Sequence, residues 1–332
     1  MHTILCPLCG SDSRAVLVRG SDLLHGVPGD FSVTRCSCGL VYINPQPDND
    51  ELQLYYPDHY LAHKELHGMT RFQRHRALKE FVLRWYYDYP LGAPLPPRWQ
   101  RRLLRPFLWL LSLGTLKSAI AYHGAGRLLD IGCGNGGWLR GMQECGWTVQ
   151  GVEIDENAAR TATAAGVPTF CGTLPAAQFP DQAFDVVRLH YVFEHLINPA
   201  EVLTEVRRIL KPDGVCYMRV PNIDSCTFRW FKQYWYPLDV PRHVFHYTPD
   251  TFTRLVRQHG LAVQRIRHCS PPSGFFVSLE FMRREGVLPV WLRPLDGRRS
   301  FWRNLWRPLG WLIDRAGKGD IVEFTVVVNA AP

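Results

Sequence analysis

From Arg127 onward the chain alternates short runs of Leu, Ile and Val with stretches in which apolar residues recur at helical spacing. Runs of the first kind read as buried strands and those of the second as helices packed on a sheet. The pattern predicts strands at 127–131, 148–153, 168–171, 184–189, 215–220 and 262–268. It predicts helices over 137–145, 157–165, 199–210 and 249–259, the third stopped by Lys211-Pro-Asp-Gly214 and the last by Gly260. Segments 278–284 and 321–328 are expected as the last two strands. The whole reads as an α/β fold: a doubly wound, mostly parallel, seven-stranded Rossmann-like sheet over 126–332, with a Trp- and Arg-rich insertion at 285–318. Ahead of it lie a cysteine module at 1–45 and a partly helical linker or lid at 46–125. In that linker 71–87 has few breakers, whereas Pro90, Pro94, Pro96 and Pro97 stop any helix.

With 332 residues, 46% of them hydrophobic, the chain can bury a substantial core. A cysteine pair interrupts the opening MHTILCPLCG where a secretory leader needs an apolar run, and the apolar tract at 106–116 is too short to span a bilayer. Of ten cysteines, four cluster near the N-terminus. Cys133, Cys145, Cys171, Cys216, Cys226 and Cys269 are scattered, as expected for small buried hydrophobes in a reducing compartment. A cytoplasmic location is expected. The net charge of +8 suits an anionic partner, and it gathers at Arg98, Arg101, Arg102 and Arg105 and at Arg298, Arg299, Arg303 and Arg307.

The loop Leu128-Leu-Asp-Ile-Gly-Cys-Gly-Asn-Gly-Gly137 joins a predicted strand to a predicted helix. Glycines there admit a ligand to the backbone, and the helix start offers unpaired N–H groups. About 20 residues on, Glu153 ends the next strand, where an acid accepts hydrogen bonds from both ribose hydroxyls. An adenosine-containing ligand follows. Gly132, Gly134 and Gly137 also satisfy the dinucleotide fingerprint, so a nicotinamide dinucleotide is the rival. Asp130 argues against it, because a carboxylate at the strand's tip repels a pyrophosphate and favours a cationic sulfonium donor.

On these residues the chain resembles the class I S-adenosylmethionine-dependent methyltransferases. The resemblance covers about 125–270 and is carried by Asp130-Ile-Gly-Cys-Gly-Asn-Gly136, Gly151-Val-Glu-Ile-Asp155, Phe184-Asp-Val-Val187 and Leu210-Lys-Pro-Asp-Gly214. It implies that Asp130, Gly132, Cys133, Gly134, Gly136, Glu153 and Ile154 hold S-adenosyl-L-methionine. It sets Thr173 and Leu174 near the adenine and His190 at the start of the segment lining the site. Thr173 departs from the acid that relatives often carry.

Cys6-Pro-Leu-Cys9-Gly10 and Cys36-Ser-Cys38-Gly39 supply four thiols in two close pairs, each followed by a glycine that eases a reversal. Four thiolates favour a closed, structural Zn²⁺ site that adds folding energy to a module with little core. Together with Gly39-Leu-Val-Tyr-Ile-Asn-Pro45 the module resembles the zinc ribbon preceding a bacterial methyltransferase subgroup, some of whose members modify sugars or cell-surface intermediates. Its few arginines, opposed by Asp12, Asp22 and Asp30, make a poor phosphate-binding face, so nucleic acid is not the expected partner.

Methyl transfer to oxygen or nitrogen requires alignment and, often, removal of the acceptor's proton. His190-Tyr-Val-Phe-Glu-His195 follows the fourth strand of the sheet, with His195 the first choice of base, Glu194 its orienter and Tyr191 facing substrate. Asp239-Val-Pro-Arg-His243-Val-Phe-His246 follows an aromatic segment containing Trp235, which reads as a pocket wall. His243 or His246 is an alternative base, and Arg242 and Asp239 are candidate substrate contacts. His195 reads equally as a helix-capping or packing residue that shapes the donor pocket, and the 239–246 cluster as a hydrogen-bonded network holding its loop closed. A metal on the His243–His246 pair would require a third ligand such as Asp239.

The arginine clusters interleave with Trp, Leu and Phe, the composition of helices lying in a membrane interface, and equally of lids packed on the domain. The combined expectation is methyl transfer to oxygen of a small or lipid-linked metabolite, of glycan or isoprenoid type, with peripheral contact at the inner membrane face. An RNA or protein methyltransferase and a non-catalytic scaffold are the alternatives. The sequence leaves the oligomeric state open.

Overall fold

The computed structural model describes residues 1–56, 76–90, 95–115 and 120–329. Part of the predicted 71–87 helix therefore lies outside the described residues, and the remainder is a helix at Arg76–Tyr86. The chain divides into two compact units. One comprises Met1–Asp58, Leu189–Arg207 and Cys216–Pro332; the other comprises His59–Arg188 and Arg208–Val215.

The strands are β1 Arg14–Gly20, β2 Phe31–Cys36, β3 Val41–Ile43, β4 Arg127–Ile131, β5 Thr148–Glu153 and β6 Thr169–Cys171. They continue with β7 Phe184–His190, β8 Leu210–Pro221, β9 Phe245–His246, β10 Leu261–Cys269 and β11 Ile321–Val328. A seven-stranded mixed sheet runs β10-β11-β8-β7-β4-β5-β6, the Rossmann-like α/β arrangement that the alternating pattern implies. β4 pairs with β5 and β5 with β6 in parallel, while β10 and β11 are antiparallel. Buried Leu128, Leu129, Val186 and Val187 account for the continuous apolar runs of β4 and β7.

Two predicted boundaries change. The 278–284 segment is not a strand but the end of a helix at Pro272–Arg284. Its buried residues Gly274, Ser278 and Phe281 recur at helical spacing, and Pro272 sits in the first turn, where its missing N–H costs nothing. The Lys211-Pro-Asp-Gly214 stop is the opening of β8 rather than a loop before it.

The N-terminal strands form a second sheet, β1-β2-β3-β9, in which β3 pairs antiparallel with β9 so that Val41 lies opposite His246. A later part of the chain thus completes the cysteine module's sheet. Behind it, Phe31, Val33, Val41 and Ile43 pack in one buried cluster with Phe228, Phe231, Trp235 and Leu238. This corrects the reading of Trp235 as a pocket wall. It is 1% exposed, and its indole N–H donates to Asp320 Oδ1 at 2.9 Å and to Thr227 Oγ1 at 3.0 Å. A large apolar side chain whose one polar atom is satisfied internally is a packing residue.

Candidate functional site

The glycine loop leaves β4 with Gly132, Gly134 and Gly136 all at positive φ (70°, 55° and 73°), a conformation that side chains rarely adopt. The Gly132 amide donates to Val152 O at 2.8 Å, and a Cβ on Gly136 would meet that of Ala162 at 2.9 Å. Gly136 caps the helix Gly137–Glu144. Glu153 at the end of β5 is aimed at this loop: one carboxylate oxygen accepts from the Gly134 amide at 2.7 Å and the other from the Asp155 amide at 3.0 Å. Both oxygens keep a further lone pair for a ligand. Beside it Ile154 is 74% exposed, an apolar side chain with no core to fill.

Cys133 is buried against Gly151, where an added Cβ would lie 2.5 Å from its sulfur. Burial pushes its thiol up to about 12, so the residue offers a ligand its backbone rather than its sulfur. After β6, Thr173 is exposed and Leu174 buried.

Asp130 departs from expectation. The free carboxylate foreseen at the tip of β4 is gripped by Arg188 of β7, whose Nη1 donates to both oxygens at 2.9 and 2.8 Å. The guanidinium also lies 3.9 Å from the ring centroid of Trp138. Burial nonetheless dominates, raising the Asp130 carboxyl to about 6, with Arg188 opposing the rise and Glu153 adding to it. The cradle therefore carries both signs of charge. Sequence reasoning missed Arg188; the signal was an arginine inside the otherwise apolar strand Phe-Asp-Val-Val-Arg-Leu-His.

In the other unit, Glu194, His195 and His243 come together, one potential ligand atom of each lying within 4.8 Å of the others. His195 and His243 meet edge to face with ring centroids 4.6 Å apart, and His246 lies 6.4 Å from His243. His243 Nδ1 is 2.8 Å from Pro237 O, and His195 Nδ1 is 3.0 Å from Arg242 O and 3.1 Å from the Tyr56 hydroxyl. A carbonyl only accepts, so both Nδ1 atoms carry the proton and both Nε2 atoms keep a lone pair. His243 Nε2 faces Glu194 Oε1 at 3.9 Å and Asp239 Oδ2 at 3.8 Å, too far for hydrogen bonds. Glu194 is fully buried with both oxygens unpartnered, and both His246 ring nitrogens are likewise unpartnered.

Burial holds these imidazoles neutral, lowering His195 and His246 to about 3 and His243 below its usual value. It drives Glu194 the other way, up to about 8, with Asp239 adding repulsion. The histidines thus carry lone pairs at neutral pH but are weaker bases than the poised ones expected. Tyr191 and Asp239 both stand at positive φ (59° and 37°), strain that a fold keeps where the surroundings fix it. His190 closes β7 half-buried.

Arg242 also differs from expectation. Its side chain is fully buried, donating to Asp22 at 2.6 and 3.1 Å, to Asp239 at 2.5 Å and to Tyr55 O at 3.0 Å. Burial works against its charge, yet the hydrogen bonds to Asp22 and Asp239 hold its pKa above the ordinary arginine value. A guanidinium so fully engaged is not free for a substrate carboxylate or phosphate, and Asp239 is committed with it.

In the N-terminal module the four cysteine sulfurs lie within 4.8 Å of one another, Cys6 and Cys38 at 3.5 Å and Cys9 and Cys36 at 3.5 Å. Gly10 and Gly39 reverse the chain at φ 71° and 95°, their amides donating to Cys6 O and Cys36 O. Four thiolates tetrahedral about one ion at ~2.3 Å sit about 3.8 Å apart, so the donor set fits a metal.

With this geometry in view, a methyltransferase-domain family model matches residues 95–266, just over half the chain, and the chain belongs to that family. It is 31% identical over 192 residues to 24-methylenesterol C-methyltransferase 2 of Oryza sativa, covering 54% of this chain and 49% of that protein. It is 31% identical over 161 residues to a ubiquinone biosynthesis O-methyltransferase of Dinoroseobacter shibae, covering 44% and 63%. The chain spans about half the length of the curated relatives it matches. A crystal structure of a SAM-dependent methyltransferase from Archaeoglobus fulgidus aligns at 17% identity and a TM-score of 0.43, over 76% of this chain and 93% of that one.

Two outcomes follow. Replacing Glu153 by Gln removes the charged acceptor and should weaken S-adenosylmethionine binding by about 10- to 100-fold, the ~1.5–3 kcal/mol of a hydrogen bond to a charged group, measured by calorimetry. Unchanged affinity would remove Glu153 from the donor site. Arg242→Met leaves buried Asp22 and half-buried Asp239 without their shared cation and should cost about 3–5 kcal/mol in urea denaturation; a loss below ~1 kcal/mol would contradict the network.

Proposed function

We propose that the chain transfers a methyl group from S-adenosyl-L-methionine to an oxygen of a small or lipid-linked metabolite. The observation that carries the reading is Glu153, fixed by the Gly134 and Asp155 amides at the rim of a loop of left-handed glycines. That acid suits the two ribose hydroxyls, and Ile154 beside it suits an adenine face. The methionine end of the donor carries an ammonium and a carboxylate, and the Asp130–Arg188 pair offers a partner for each. Thr173 and Leu174 follow as adenine neighbours by family analogy alone. The donor supplies an electrophilic methyl group, and the chain's own work is to orient the acceptor and take its proton.

Oxygen is the favoured acceptor atom because several relatives are named as ubiquinone biosynthesis O-methyltransferases. The Nε2 lone pairs of His195 and His243, the latter 3.9 Å from Glu194 Oε1, are open to a hydroxyl proton, as bases that burial weakens. His190 and Tyr191 belong to the same reading as donor and acceptor neighbours. For the four-cysteine cluster we propose zinc, in a closed and structural role.

An apolar acceptor agrees with the helix Ser300–Arg315. Trp306, Gly310 and Ile313 face the interior. Phe301, Leu305, Trp311 and Leu312, on the outward side, are each more than half exposed. Arg303, Arg307 and Arg315 stand exposed among them. A helix apolar on its solvent face and studded with arginine fits the headgroup boundary of an anionic bilayer. Among the described residues no helix is long and apolar enough to cross a membrane. We place the chain on the cytoplasmic side, in keeping with cysteines that form no disulfide among the described residues.

Incubating the full chain with a methyl-labelled donor and an isoprenoid phenol should move label into an ether in proportion to enzyme. Label on carbon or nitrogen, or none across phenolic, sugar and lipid-linked hydroxyls, would overturn the assignment. In sedimentation with vesicles, phosphatidylglycerol should retain the chain and phosphatidylcholine should not, with Phe301→Asp and Trp311→Asp together abolishing retention. Equal partition to both, or retention by RNA alone, would overturn the membrane assignment.

A further inference from the structure

The Glu194, His195 and His243 side chains have a composition that the proton-transfer reading leaves unexplained. Glu194 is fully buried, and neither of its oxygens has a hydrogen-bond donor. The two histidines nearest to it are locked by their Nδ1 atoms onto the Pro237 and Arg242 carbonyls, so what they present is lone pairs. A carboxylate and two imidazole lone pairs thus converge with nothing positive between them. The nearby cation does not fill the gap: Arg242 is spent on Asp22 and Asp239, and Glu194 has no hydrogen-bond partner among the described residues.

We infer that Glu194, His195 and His243 bind a divalent first-row transition-metal ion, of which Zn²⁺ and Co²⁺ are the simplest probes. Ligands each ~2.1 Å from one tetrahedral ion stand ~3.4 Å apart, and Glu194 Oε1 lies 3.9 Å from His243 Nε2. One ligand atom of each residue lies within 4.8 Å of the others, so closing the set draws no pair together by more than ~1.4 Å. One carboxylate with two neutral imidazoles suits ions of borderline softness, whereas Mg²⁺ and Ca²⁺ favour all-oxygen shells. The outer shell agrees: a ligating imidazole commonly donates its other N–H to a backbone carbonyl, as both histidines do here. The set that the fold assembles includes His243 but not His246. His246 lies behind, its ring 6.4 Å from that of His243. Within the proposed reaction such an ion would itself ionise an acceptor hydroxyl; that clause alone rests on methyl transfer, and metal binding does not.

The test is metal content and Co²⁺ spectroscopy of the full chain, with no activity readout. Elemental analysis after dialysis should give two ions per chain. Replacement by Co²⁺ should give thiolate charge-transfer bands in the near ultraviolet from the cysteine cluster and a second, separate phase of visible bands without them. Glu194→Gln and His243→Ala should each lose the second phase and one ion per chain while keeping the thiolate bands, with circular dichroism confirming the fold. A wild-type chain that shows only the thiolate phase overturns the inference, as does a folded His243→Ala chain that keeps both phases. Because the charge-transfer band reports the cysteines separately, an empty thiol cluster is read as such and leaves the second phase interpretable.

Discussion

A single buried guanidinium organises the unit that carries the histidines. Arg242 reaches back to Asp22 in the cysteine module, to the Tyr55 carbonyl and to Asp239 in its own loop, and its backbone carbonyl fixes the His195 ring. Burying one cation between two carboxylates is costly unless every hydrogen bond is made, and here they are. The module of residues 1–45 is therefore more than an appendage. Without Asp22 the guanidinium in the loop that presents His243 would lose two of its buried hydrogen bonds, and without β9 the β1-β2-β3 sheet would lose a strand. The zinc proposed for the four thiols would stabilise the module that supplies Asp22, linking metal binding to the shape of the histidine cluster.

The donor cradle depends on a different economy. Its glycines are required by conformation rather than composition, since three residues at positive φ turn their amides to the Val152 carbonyl, the Glu153 carboxylate and the Cys133 carbonyl. Electrostatics then sorts the ligand. A lone carboxylate at Asp130 would argue for a cation, whereas the Asp130–Arg188 pair argues for a zwitterion, and the amino-acid end of S-adenosylmethionine is one. A dinucleotide pyrophosphate has the negative half of that description alone.

Much of the fold was legible because strands buried on both faces must be apolar throughout. The runs at Arg127–Ile131, Thr148–Glu153 and Phe184–His190 could be read directly. Segment 278–284 misled because a short apolar run carries no unambiguous period, and the decisive cues, Pro272 and the spacing of Gly274, Ser278 and Phe281, lie partly outside it. At the site, glycines, paired cysteines and a strand-terminal acid announce themselves by local chemistry. Arg188 and the commitment of Arg242 did not, because each is defined by a partner remote in sequence: Asp130 for one, Asp22 for the other. For the same reason Trp235 looked like a pocket wall among aromatics until Asp320 and Thr227 were seen to hold its indole.

The claim that a sulfonium amino acid occupies the glycine loop is tested most directly by titrating the full chain, by calorimetry, with S-adenosylmethionine and separately with NAD. The account predicts saturable binding of the first at one molecule per chain and no measurable heat from the second. Tight binding of NAD with silence toward S-adenosylmethionine would contradict it.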